Sequence, residues 1–162
     1  MLLRTTLAVQ TRTLRLHDKS MFATEGHLVN VLLTMGEYVE AEAFCRELLE
    51  KRRRVLGTDH CDSLALAANL ASSLSQQGKH TEAVEILREV LVKKTRLLGA
   101  EHQQTLISAF NLAVSLWRCG QKTEGEKLLR DTLVLSRRVL GPTHAHTLCV
   151  LQRLRAVGLA VR

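Results

Sequence analysis

Three histidines, His60, His102 and His144, recur at an interval of 42 residues, and imidazole is the side chain best suited to bind a metal or move a proton near neutral pH. Equivalent atoms in stacked helical units stand about 10 Å apart, the spacing of packed helices, so the three cannot share one ion. Their recurrence just before each helix marks a structural position. His144, His146 and Cys149 lie closer together but offer three ligands and no fourth, a weak zinc pattern. No metal and no other cofactor is expected. The chain has no Gly-rich phosphate loop, no G-x-S-x-G and no H-E-x-x-H. Its serines, cysteines and carboxylates fall at repeat positions without a paired base, so the expectation is a protein that is not an enzyme.

Lys51-Arg52-Arg53-Arg54 has the composition of a nuclear-import or nucleic-acid patch. The same slot holds Lys93-Lys94-Thr95-Arg96 and Arg137-Arg138 further along. Basic residues in a helix's last turns complement the negative end of its dipole, so these runs read as solvated helix ends. A balance of 23 basic to 16 acidic residues, net +7, still favours an acidic partner.

The elements that position these residues are legible as a repeat. Residues 57–98 and 99–140 align without gaps, and 18 of the 42 positions are identical, far above coincidence. Leu64, Ala67, Leu70, Ala71 and Leu74 recur at spacings of three and four, the mark of one buried helical face. Asp62 or Ser63 can cap the start of this helix, and Gly78 ends it. A second helix resumes at Thr81, with Ala83, Ile86, Leu87, Val90 and Leu91 on one face. Neither hairpin can bury its apolar face alone, so the hairpins must stack. Residues 15–56 form a diverged first unit, with helices expected over 19–35 and 38–56.

The Leu-small pairs Leu70-Ala71 and Leu112-Ala113, the turn glycines Gly78 and Gly120, and the small residues Ala83 and Gly125 resemble a tetratricopeptide repeat. The 42-residue form, opening on Leu-Gly and then His, is similar to the kinesin light chain type, and also to the tail of some signalling ATPases. This resemblance implies an all-α, right-handed α-solenoid of stacked antiparallel helix hairpins. It also implies a non-catalytic protein–protein interaction scaffold that binds a short peptide in its concave groove. The alternatives are a structural or sensor segment of a larger signalling ATPase and, behind that, a basic helical-repeat binder of nucleic acid.

The whole chain, 1–162, reads as a single array: 1–14 as the end of a partial second helix, then full units at 15–56, 57–98 and 99–140, and a lone helix in 141–162. Residues 4–14 overlay 130–140 with Arg4, Leu7, Arg12 and Leu14 in register. The same N-terminal stretch, free of acids up to residue 17, also has the composition of a mitochondrial transit peptide. Cys45, Cys61, Cys119 and Cys149 show no close pairing, which suits reduced thiols and a cytoplasmic location. No run of about 20 apolar residues is present, so no membrane partner is expected. Residues 148–161 carry more apolar side chains than one packed face needs, and self-association through open array ends is the expectation.

The groove stripe that the resemblance implies falls on the first helix of each unit. It gives Asn30 in the first, Asn69, Ser72 and Gln76 in the second, and Phe110, Asn111, Val114, Trp117 and Arg118 in the third. Gln152 and Arg153 continue it on the last helix. By the resemblance, Asn69 and Asn111 contact the backbone of an extended peptide, and an amide that both donates and accepts suits that task. The Asn is replaced by His27 and Arg153 in the outer units. Trp117 and Phe110 beside Arg118 and Arg153 suit a peptide with acidic and apolar side chains.

Overall fold

The computed structural model describes residues 19–158, which form helices joined by short turns, with no strand among them. Their contacts fall into two compact units that divide between Gln77 and Gly78. The first contains α1 (Lys19–Met35), α2 (Tyr38–Leu56) and α3 (Cys61–Gln76). The second contains α4 (His80–Leu98), α5 (Gln103–Arg118), α6 (Lys122–Val139) and α7 (Ala145–Ala156). The bounds expected for α1 and α2 are those observed. The partial helix expected in 1–14 lies outside the described residues.

Each helix forms because its apolar residues line one stripe and a glycine or a cap stops it. In the second unit Ala113, Leu129, Leu133, Val150 and Leu154 form one core cluster drawn from α5, α6 and α7, with Phe110, Leu128 and Leu151 packed at its margin. Two glycines are decisive for this packing. Gly120, at φ +85°, makes the left-handed turn that reverses the chain between α5 and α6. Gly125 lets α6 approach α5 closely, since a Cβ there would lie 2.9 Å from the Ala113 carbonyl oxygen.

In the first unit the basic run does not behave as a solvated helix end. Arg52 is 4% exposed, and its guanidinium donates to the Phe22 carbonyl (2.8 Å), the Asp62 carbonyl (3.4 Å) and Glu25 Oε2 (3.1 Å). It also lies 4.9 Å from the Phe22 ring centroid. One cation thus ties α2 to α1 and to the first turn of α3. Lys94 and Ser136, which follow Arg52 at the repeat interval, are buried as well. The slot is a packing position, and only its flanking residues Lys51 and Arg54 behave as expected, in exposed pairs with Glu47 and Glu50.

Polar ties join neighbouring helices within each unit. Gln77 Nε2 donates to the Tyr38 carbonyl (3.1 Å) and to Glu42 Oε2 (2.8 Å) in the first. In the second, Arg88 grips Glu124 with a two-pronged contact at 2.6 Å and also reaches Gln121. That hydrogen bond holds the Glu124 carboxyl below its usual range. Both partners are exposed, so the pair fixes geometry more than it adds stability.

Candidate functional site

The recurring histidines are helix caps. His60, His102 and His144 have extended backbones, and each Nδ1 accepts the backbone N–H two residues on, from Asp62, Gln104 and His146, at 3.1–3.2 Å. An imidazole here satisfies a free amide as a Ser or Asp oxygen does elsewhere. Asp62 and Ser63 are therefore not the cap: Asp62 supplies the N–H, and the Ser63 hydroxyl donates back to the Gly57 carbonyl at 3.0 Å. Among the described residues no three His, Cys, Asp or Glu side chains are grouped to hold an ion. Cys45, buried, has its thiol pushed up to about 12, which leaves it protonated and unreactive at neutral pH.

The expected groove residues lie in both units. On α1 and α3, Asn30, Ser72 and Gln76 are exposed and Asn69 is half-buried. On α5 and α7 of the second unit, Phe110, Asn111, Val114, Trp117 and Arg153 are half-buried, while Arg118 and Gln152 are exposed. No hydrogen bond to the side chain of Asn69 or Asn111 occurs among the described residues.

The face of α5 and α7 combines apolar surface with concentrated positive charge. Burial weakens Arg153's hold on its proton, and repulsion from Arg118 weakens it further. The Arg153 Nε is buried with no acceptor. Phe110 meets the His146 ring edge-on, with centroids 5.8 Å apart at 77°. His146 is fixed in turn by Ser136 Oγ, 3.2 Å from its Nδ1, and its Nε2 is buried without a partner. Burial, followed by the nearby His144, lowers the His146 pKa, so the ring is neutral at pH 7.

Two residues of this face escaped the sequence. Lys122, in the first turn of α6, places its Nζ 5.7 Å from the Trp117 ring centroid, a cation that the expected stripe did not include. His146 braces Phe110, yet the repeat puts Asp62 and Gln104 in its place, so periodicity carries no signal for it. Other cations are engaged in ion pairs: Arg46 with Glu42, Lys93 with Glu89, Arg130 with Glu126 and Arg138 with Glu101.

Tetratricopeptide repeat profiles match residues 20–91 and 62–121, and a second profile of that description matches 105–146. The chain belongs to the tetratricopeptide repeat family. Its all-α repeat is of the kinesin light chain-like kind. A Podosopora anserina protein assigned as a kinesin light chain, with nearly identical TPR-like repeats, is 27% identical with a TM-score of 0.78, over 97% of this chain and 76% of that one. A second structure of that protein gives 27% and 0.76 over the same shares. BtubC from P. vanneervenii, 18% identical with a TM-score of 0.75 over 97% of this chain and 66% of its own, shares the fold. No curated protein matches the chain. Tetratricopeptide repeats mediate protein–protein interaction, and repeats of this kind are typically non-catalytic. No described helix is long and apolar enough to cross a membrane.

Proposed function

We propose that this chain is a non-catalytic interaction scaffold whose second unit binds a short peptide across α5 and α7, with an acidic side chain next to an apolar or aromatic one. The observation that carries this is the Arg118–Arg153 pair. Two guanidinium groups are held close enough to repel, one of them with a buried Nε lacking an acceptor, beside Phe110 and Val114. A carboxylate placed between them relieves the repulsion and accepts from the buried Arg153 Nε–H. Apolar neighbours then bury the adjoining side chain, and Asn111 meets the peptide backbone. In the first unit, Asn30, Asn69, Ser72 and Gln76 are proposed to contact peptide in the same manner.

Calorimetric titration with short acidic-aromatic peptides tests the reading. Asn111→Ala and Arg118→Glu are each expected to weaken binding by about 1–3 kcal/mol, the range for a lost hydrogen bond with a buried or charged partner, with helicity unchanged. If the double variant binds these peptides as tightly as the parent, the assignment of this face is wrong.

A further inference from the structure

One buried slot recurs in every repeat, and the residue that fills it changes character along the chain. In the first repeat Arg52, near the end of α2, donates to the Asp62 carbonyl in the first turn of α3 and to the Phe22 carbonyl and Glu25 Oε2 on α1. One repeat on, the slot holds Lys94, again a buried cation. In the third repeat it holds Ser136, which is 0% exposed and too short to reach out as Arg52 does. The gap is closed from the other side. His146, in the first turn of α7 at the repeat position of Asp62, brings its Nδ1 to 3.2 Å from Ser136 Oγ. At this junction an imidazole, which titrates near neutral pH, stands in for a permanent charge.

The same imidazole touches the peptide face. It stands edge-on to Phe110 of α5, with centroids 5.8 Å apart at 77°, an arrangement that the quadrupoles of two rings favour. Phe110 packs on the core cluster with part of its surface and is half-buried, so the pose of the rest depends on what stands beside it. That neighbour has to be neutral. In a protonated imidazole both nitrogens donate, and the His146 Nε2 is buried with no acceptor. A charged ring would hold a desolvated N–H there, which turning out to water relieves. The titratable group facing the ring on α7 is His144, which opposes a second charge, while α6 faces it with Ser136 and α5 with Phe110. Burial first, and His144 second, keep the His146 pKa below its ordinary 6.5.

We infer that His146 is a positioning residue of the peptide face: anchored on Ser136, its neutral ring sets the pose of Phe110, and peptide affinity falls when that ring takes up a proton. The inference rests on the peptide-binding reading of α5 and α7. It is specific to the aromatic part of a ligand, because His146 acts through Phe110 and not through the guanidinium groups. An added charge acting by itself would do the opposite and draw an acidic peptide closer.

Calorimetric titration of the full chain with two short peptides reads this, one with Trp beside its acidic residue and one with Ala in that place. Measurements at about pH 7.5 and about pH 5.5 bracket the imidazole range. At the higher pH, His146→Gln is expected to weaken the Trp peptide by about 2–10-fold, the contribution of an aromatic pair, and to leave the Ala peptide unchanged. Phe110→Leu removes the ring through which His146 acts, so adding His146→Gln to it should weaken the Trp peptide no further. Acidification is expected to weaken the Trp peptide on the parent by a similar factor and to have less effect on His146→Gln. His146→Phe combined with Ser136→Ala keeps a ring that cannot titrate, and it should bind the Trp peptide well at both pH values. That variant carries the test if circular dichroism shows Gln loosening α7. Equal weakening of both peptides by His146→Gln, acid that tightens the Trp peptide, or a pH profile that His146→Gln leaves unaltered overturns the inference while the peptide face stands. A parent that binds neither peptide overturns the peptide-binding reading and this inference with it.

Discussion

Replacing Arg52 by Met is expected to destabilise the first unit severely, although Arg52 sits in a run that looks like surface. The substitution keeps side-chain length and removes the charge. Glu25 is then left with its side chain 7% exposed and without its cation. The Phe22 and Asp62 carbonyls lose their donor at the same time, and the Phe22 ring loses the cation beside it. Removing one partner of a buried pair costs about 3–5 kcal/mol, because the survivor is desolvated and uncompensated. Against a typical total of about 5–15 kcal/mol, that loss is large. Hydrogen exchange by mass spectrometry on peptides from α2 reads the unit by itself, and exchange is expected to speed up by about 10²–10³-fold or more. Adding Glu25→Leu to Arg52→Met removes the stranded carboxylate and is expected to recover part of the loss. Recovery stays incomplete because the two carbonyls remain short of a donor. Raising salt should change the parent little, since buried pairs are weakly screened. An Arg52→Met variant exchanging at the parent rate, or a double variant worse than the sum of both singles, refutes the reasoning.

Two further outcomes follow from the caps and from His146. His102→Ala should cost about 0.5–2 kcal/mol by freeing the Gln104 amide at the start of α5, measured as a lower denaturation midpoint, while His102→Asn should retain most of the stability. His146 has a folded pKa below its ordinary 6.5, so its neutral form supports the docking of α7 fully above that pH. That support declines as pH falls from about 6.5 through the folded value. Exchange in α7, corrected for intrinsic rates, should accelerate over that window, and His146→Gln should flatten the dependence.

Local pattern alone determined the helices, their bounds over 19–35 and 38–56, the turn glycines and the family. Those features depend on spacing within a few residues and on a 42-residue repetition, both written along the chain. The recurring histidines were likewise legible as structural, although only the backbone geometry showed the imidazole to be the cap in place of Asp62 or Ser63. What the tertiary structure decided was the fate of individual charges and rings. Arg52 reads as surface because its partners, Glu25 and Phe22, lie in a different helix, and burial is set by what packs across and not by neighbours in sequence. His146 and Lys122 reached Phe110 and Trp117 for the same reason, at positions where the repeat has no matching residue to signal them. Leu148 shows the converse: its sequence matches that of buried Leu106, and it is exposed because burial requires a second helix alongside, which a residue's own identity cannot supply.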